Sequence, residues 1–271
     1  MANIITPIIV ALDFSDKQDA LKIAKKIDPK LCRVKVGKEL FTSYGPNIVF
    51  ELHDLGFEVF LDLKFHDIPT TCAKAITAAA NLGVWMVNVH LSGGLEMLKA
   101  CKTALNYASH KPLLIGVTVL TSMEQKDLVQ IGINNSPINQ VLTLAKLAKQ
   151  ADFDGLVCSA QEAEILKQEF AHFKLVTPGI RPANNNLVNK INFNNLENSA
   201  HEKQNAELNS TKIKTMTFDT HLKNNTQEDQ KRIFTPFDAI NAGSDYLVIG
   251  RPITQSPNPK EALKQIIAQI I

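Results

Sequence analysis

The chain is poor in the features that would place it in several large protein classes. Its four cysteines, at positions 32, 72, 101 and 158, stand singly with no CxxC pair, so neither a zinc site nor a disulfide framework is indicated. No apolar run approaches the roughly 20 residues that a membrane-spanning helix needs. The opening IITPIIVAL is apolar enough for a signal segment, yet no cationic stretch precedes it and it runs straight into Asp13, so it reads as a first strand. An excess of charge is also missing. The formal net charge is only +2 over 271 residues, without a basic run, which leaves no electrostatic footprint for nucleic acid. These absences suit a protein of the reducing cytoplasm with no membrane or nucleic-acid partner.

What is present is a 45% hydrophobic content, enough for one large core. It falls in short branched runs that read as strands over 8–14, 32–38, 59–64, 86–91, 113–120, 155–159, 175–177 and 246–250. Helical stretches alternate with them: from a cap at Ser15 to Ile27, Pro46 to Leu55, Pro69 to Leu82, a segment ending at Tyr107, Glu124 to Val129, Pro137 to Gln150, Gln161 to Phe170, and Pro259 to Ile270. Strands alternating with helices imply a parallel sheet with right-handed crossovers. Eight of them equal the count of the closed (β/α)8 TIM barrel, here as a single domain over 1–271. An open doubly wound sheet is the alternative, but no GxGxxG follows the first strand.

The stretch VFLDLKFHDIPTT, residues 59–71, concentrates the chemistry. Asp62 interrupts a buried apolar strand, where an unpaired carboxylate would cost several kcal/mol, and Lys64 two residues on should share its face. Asp67 follows at the Ile68-Pro69 turn. A salt bridge at a strand terminus would explain part of this pattern. It would not explain why Asp13, Lys35, His90, Thr121 and Arg251 also fall at or just past the C-terminal ends of other strands, which converge on the mouth of a barrel. Helix capping at Asp13 or Thr121, a snorkelling Lys35 and a packing role for His90 remain the bland readings. A phosphate site is suggested by Gly250, which permits close approach, and by Arg251, a planar fork of donors after strand eight; Arg181 in TPGIRP adds a second arginine.

These residues carry a resemblance to the orotidine 5′-phosphate decarboxylases of bacterial type. The matching segments are VALDF at 10–14, KVGKELF at 35–41, DLKFHDIPTT at 62–71, VTVLTSM at 117–123, VTPGIRP at 176–182, DQKRIFTP at 229–236 and DYLVIGRPIT at 245–254. The resemblance implies decarboxylation of orotidine 5′-phosphate to uridine 5′-monophosphate (UMP) and CO2, without metal or organic cofactor. It makes Lys64 the general acid, flanked by Asp62, Asp67 and Lys35. It implies a homodimer in which Asp67 and Thr71 reach the neighbour's pocket. Asp13 and Lys35 would hold the ribose, Thr121 would lie near the pyrimidine, and Arg181, Gln230, Gly250 and Arg251 would hold the phosphoryl end. Thr70 stands where relatives often carry Asn.

One longer departure and three rivals complete the reading. Ala183 to Glu228 forms a segment far longer than the loop the family keeps, with twelve asparagines, no glycine and no proline. Its composition suggests a flexible surface insertion; a larger lid over the phosphate or a docking segment is the alternative. The nearest rival activity is a Mg²⁺-dependent decarboxylase of the ketogulonate 6-phosphate type, sharing DxKxxD, for which Glu39 is the available extra acid. A barrel that binds nucleotide without turning it over is the second, against which the full set of charged residues argues. A phosphosugar isomerase would need a glutamate base at a strand end, and none is obvious.

Overall fold

A computed structural model describes residues 6–182 and 234–270. The branched runs form eight strands: β1 (Ile8–Ala11), β2 (Arg33–Gly37), β3 (Val59–Phe65), β4 (Met86–His90), β5 (Leu113–Val117), β6 (Gly155–Val157), β7 (Lys174–Thr177) and β8 (Tyr246–Ile249). All pair in parallel with their sequence neighbours, and β8 pairs with β1 (Ile9↔Val248), closing the barrel. Closure satisfies every strand edge, which an open sheet would leave exposed. The 183–228 insertion and Gln230 lie outside the described residues.

The helices of the described residues are α1 (Lys17–Ala24), α2 (Lys38–Tyr44), α3 (Asn47–Asp54), α4 (Pro69–Asn81), α5 (Leu95–Asn106), α6 (Gln125–Gln130), α7 (Pro137–Gln150), α8 (Ala160–Glu169), α9 (Pro236–Asn241), α10 (Arg251–Thr254) and α11 (Pro259–Ile267). Most start as the sequence suggests: Pro69, Pro137 and Pro259 occupy the first helical position, and Ser159 with Glu162 forms a reciprocal capping box. Three expectations need correction. The cap of α1 is Asp16, whose carboxylate accepts the Gln18 N–H at 2.6 Å, and not Ser15. Helix α2 was not expected as an element of its own; it starts directly at Lys38. Strands β1 and β5 end at Ala11 and Val117 rather than Phe14 and Leu120, so Asp13 and Thr121 sit on loops beyond them.

Two apolar layers result. The larger lies between strands and helices; the smaller fills the barrel with Ile9, Phe60, Met86, Ile115 and Val176. Ile9, Phe60, Ile115 and Val176 come from the four odd-numbered strands, the layering by alternate strands that a tilted eight-stranded barrel imposes. At the floor the Arg33 guanidinium lies over the Trp85 ring at 4.1 Å, Trp85 meets Tyr246 edge-on at 5.1 Å, and Arg33 Nε donates to Glu58 at 2.8 Å. Barrel walls this close leave no room at Gly155, where a Cβ would come within 2.1 Å of the Lys174 carbonyl oxygen.

Candidate active site

Period-two alternation carries the inward face of each strand from apolar residues at the floor to charged ones at the mouth. On β3 the inward Phe60 is followed by Asp62, and on β2 Arg33 by Lys35. Beyond the end of β1, Asp13 follows the inward line of Ile9 and Ala11. The mouth therefore gathers charge at the C-terminal ends of the first three strands.

The charges interlock. Lys64 Nζ donates to Asp62 Oδ1 at 2.6 Å, Lys35 Nζ lies 3.2 Å from Asp62 Oδ2, and the same Lys35 donates to Asp13 Oδ1 at 2.9 Å. Lys35 and Asp62 are buried, Lys64 is partly open, and the Asp13 carboxylate faces solvent. Burial alone would raise the Asp62 pKa, but Lys35, Lys64 and the hydrogen bonds of Lys64 and Asn88 outweigh it and hold the carboxyl below its ordinary range. Burial likewise opposes the Lys35 ammonium, and the carboxylates of Asp62 and Asp13 outweigh it and raise its pKa. Both groups are thus kept ionised where dry surroundings would neutralise a lone charge. Gly37 belongs to this array: a Cβ there would press on Asp13 Oδ1 at 3.2 Å and Lys35 Nζ at 3.4 Å.

Asp62 and Lys64 do not share a face by simple alternation. Lys64 has φ +51°, the left-handed region that a lysine enters at a cost of about 1–3 kcal/mol unless its surroundings fix it. The β3–β4 register shifts at the same place, with Leu61 opposite Val87 and Phe65 opposite Val89. The fully buried Asn88 stands in the gap, accepting the Lys64 N–H at 2.8 Å and donating to Asp62 Oδ1 at 2.7 Å. Sequence reasoning passed over Asn88. Its signal was legible: an amide within the apolar run MVNVH must be bonded on burial.

The remaining residues fall where barrel geometry sends them. Asp67 caps its own turn, accepting the Ile68 N–H at 2.7 Å, and among the described residues it joins no ion pair within the chain. It and Thr71 are exposed. Thr121 lies on the loop after β5, and Gly250 and Arg251 follow β8, with Arg251 opening α10. Arg181 follows β7, where its N–H donates to the Phe234 carbonyl at 2.9 Å and Ile180 bridges Phe234. At Gly250 a Cβ would meet only Ala11, at an ordinary 3.5 Å, so no protein neighbour demands glycine there. His90, half-buried, packs edge-on against His66 at 5.7 Å; burial, then the positive neighbours His66, Lys38 and Lys64, push its pKa down to about 4. It is neutral at pH 7, consistent with a packing role. Glu39 is exposed in the first turn of α2.

A mouth of this kind can place an ammonium, screened by carboxylates, against a carbon that develops negative charge, with one arginine following β7 and another following β8. Known proteins are similar to the chain over nearly its whole length. The model of the orotidine 5′-phosphate decarboxylase / HUMPS family matches residues 6–190 and 191–266. Orotidine 5′-phosphate decarboxylase of Pseudomonas fluorescens Pf-5 is 53% identical over 266 residues, covering 98% of this chain and 97% of its own. That of Vibrio parahaemolyticus is 52% identical over 261 residues, covering 96% and 95%. A solved structure of orotidine 5′-phosphate decarboxylase from Lactobacillus acidophilus superposes with a TM-score of 0.73 at 32% identity, covering 97% of this chain and 98% of that one. Barrel, charged mouth and full-length likeness agree: the chain belongs to the orotidine 5′-phosphate decarboxylase / HUMPS family.

Proposed function

We propose that this protein decarboxylates orotidine 5′-phosphate to UMP, the closing step of UMP synthesis. The observation that carries the reading is the Asp13–Lys35–Asp62–Lys64 chain of ion pairs at the barrel mouth, in a protein 53% identical to a named decarboxylase. The bond between the ring and its carboxyl carbon breaks, CO2 leaves, and the electron pair stays on the ring carbon in the ring plane, where no carbonyl can take it up. The Lys64 ammonium faces that carbon, stabilises the pair and gives it a proton; solvent then restores the lysine. Preorganisation is the main source of rate, because the charges are fixed before the carbanion forms. Asp62 also crowds the departing carboxylate, but stabilising the carbanion carries more weight, since crowding acts only on the ground state. The phosphate, held by Arg181, Gln230, Gly250 and Arg251, contributes binding energy remote from the reacting bond.

The site is completed by a second copy. Asp67 and Thr71 reach the neighbour's pocket in a homodimer, a reading supported by the exposure of 66–71 and of the apolar Ile68, 63% exposed in the single chain. The protein works in the reducing cytoplasm, in keeping with four buried free thiols. Among the described residues no helix is long and apolar enough to cross a membrane. The test is direct. Purified protein mixed with orotidine 5′-phosphate should lose pyrimidine absorbance at the same rate with and without excess EDTA. Loss of activity on chelation would favour the Mg²⁺-dependent rival, and no reaction in either case would remove the reading.

A further inference from the structure

We propose that Asn88 is a positioning residue for the decarboxylation, its buried amide fixing Lys64 and Asp62 relative to each other. The proposal rests on the function inferred above. Between Leu61 opposite Val87 and Phe65 opposite Val89, three residues of β3 (Asp62, Leu63 and Lys64) stand against the single residue Asn88 of β4. A parallel ladder cannot serve three residues with one, so the main chain of β4 leaves Lys64 without its regular partner. The side chain of Asn88 takes over. Its Oδ1 accepts the Lys64 N–H at 2.8 Å, at the residue whose φ is +51°. Its Nδ2 donates at 2.7 Å to Asp62 Oδ1, the same oxygen that receives Lys64 Nζ at 2.6 Å. One amide thus ties the backbone of the proton donor to the carboxylate that aims its ammonium.

The amide has only one workable orientation. A main-chain N–H can only donate, and an ionised carboxylate can only accept, so oxygen must face Lys64 and nitrogen must face Asp62. Aspartate at this position has the shape but offers Asp62 a donor only when protonated. Alanine offers neither bond: it leaves the Lys64 N–H unsatisfied and Asp62 Oδ1 with Lys64 Nζ alone, in a site where Asn88 is 0% exposed. A merely structural amide would affect folding; a positioning amide should act on turnover with binding preserved, because its two partners are the reacting pair.

The experiment compares the full-length wild type with Asn88→Ala and Asn88→Asp. It measures kcat on orotidine 5′-phosphate between about pH 4 and pH 8, the span in which a carboxyl raised above its ordinary value by burial and by the neighbouring Asp62 titrates. UMP affinity by calorimetry and the thermal unfolding midpoint identify folded protein. Asn88→Ala should lower kcat about 100-fold, the penalty expected of a small misplacement of catalytic groups, while UMP affinity stays near that of the wild type. Asn88→Asp should gain activity relative to the wild type as the pH falls, since protonation restores a donor toward Asp62. The other groups facing this point are Asp62 and Lys64 on β3, Lys35 on β2, and His90 with His66 against it; they are common to both proteins, so the ratio isolates the new carboxyl together with its coupling to Asp62. A ratio of Asn88→Asp to wild type that does not vary with pH would overturn the proposal. So would Asn88→Ala turning over like the wild type, or losing kcat only as far as it loses folded protein and UMP affinity. Should Asn88→Ala fail to fold, the Asn88→Asp ratio decides alone. A wild type without turnover would instead remove the functional reading on which the proposal stands.

Discussion

Asp62 receives three contacts from three side chains, Lys64 and Asn88 on one oxygen and Lys35 on the other, and Lys35 is shared in turn with Asp13. This fixes the sign of its pH behaviour. The Asp62 pKa is depressed, so its contribution to stability is present above the ordinary carboxylate value of about 3.9 and is lost as the pH falls through the lower folded value. Lys35 is raised, so its contribution is present below about 10.4 and is lost as the pH rises through the higher folded value. Between these limits the Asp62–Lys35 pair is charged on both sides. Asp62→Asn should therefore be less stable than the wild type at neutral pH, and the gap in urea midpoint should close as acid protonates Asp62 in the wild type. A gap that persists unchanged at the acid end would show that the carboxylate charge does not stabilise the fold. At this scale much could be read beforehand: Asp13, Lys35, Asp62 and Lys64 were expected together, because polar residues at the ends of parallel strands share one destination. The bonds of Asn88 were not read, although a buried amide in MVNVH asks for them.

Strand ends and helix starts are where sequence and structure differ most. β1 stops at Ala11 although the apolar pattern continues through Leu12 and Phe14, since the loop toward α1 buries them too. Asp16, not Ser15, caps α1; both are good caps, and only backbone geometry chooses between them. The widened stretch of β3 has no signature, because nothing in DLKF marks a left-handed lysine. The aromatic floor of the barrel, equally unseen in the sequence, separates stability from catalysis. Arg33 is inserted there against Trp85, Tyr246 and Glu58, at the opposite end from the mouth. Arg33→Ala should cost about 2 kcal/mol of stability through the lost stacking and the stranded Glu58, with kcat unchanged within error. A fall in kcat with stability intact would contradict this division. The turn leading into α4 makes a different claim. Mixed and re-equilibrated Lys64→Ala and Asp67→Ala proteins should recover activity that neither has alone, because one site of the mixed dimer combines an intact Lys64 with an intact partner Asp67. Mixtures as inactive as their components would place Asp67 in its own chain's site.

At the scale of the whole molecule, the closed barrel was legible from the count and spacing of branched runs. Closure turns residues spread over most of the chain into neighbours. Composition also set the asparagine-rich 183–228 stretch apart from a barrel element. We propose that it is a tolerated insertion between Arg181 and Gln230: replacing it with a short linker should leave kcat and KM nearly intact, and a large rise in KM would make it part of the phosphate lid.

The central claim is that the Lys64 ammonium, aimed by Asp62, delivers the proton to the carbon that gives up its carboxyl group. The most direct measurement is single-turnover decarboxylation of orotidine 5′-phosphate by Lys64→Ala, with UMP affinity measured on the same sample. The account predicts a rate lower by several orders of magnitude, roughly, for a group that acts with its neighbours as a unit, and UMP affinity close to that of the wild type. A Lys64→Ala protein that binds UMP normally and turns over within about tenfold of the wild type would contradict it, since a tenfold change is only about 1.4 kcal/mol of the barrier.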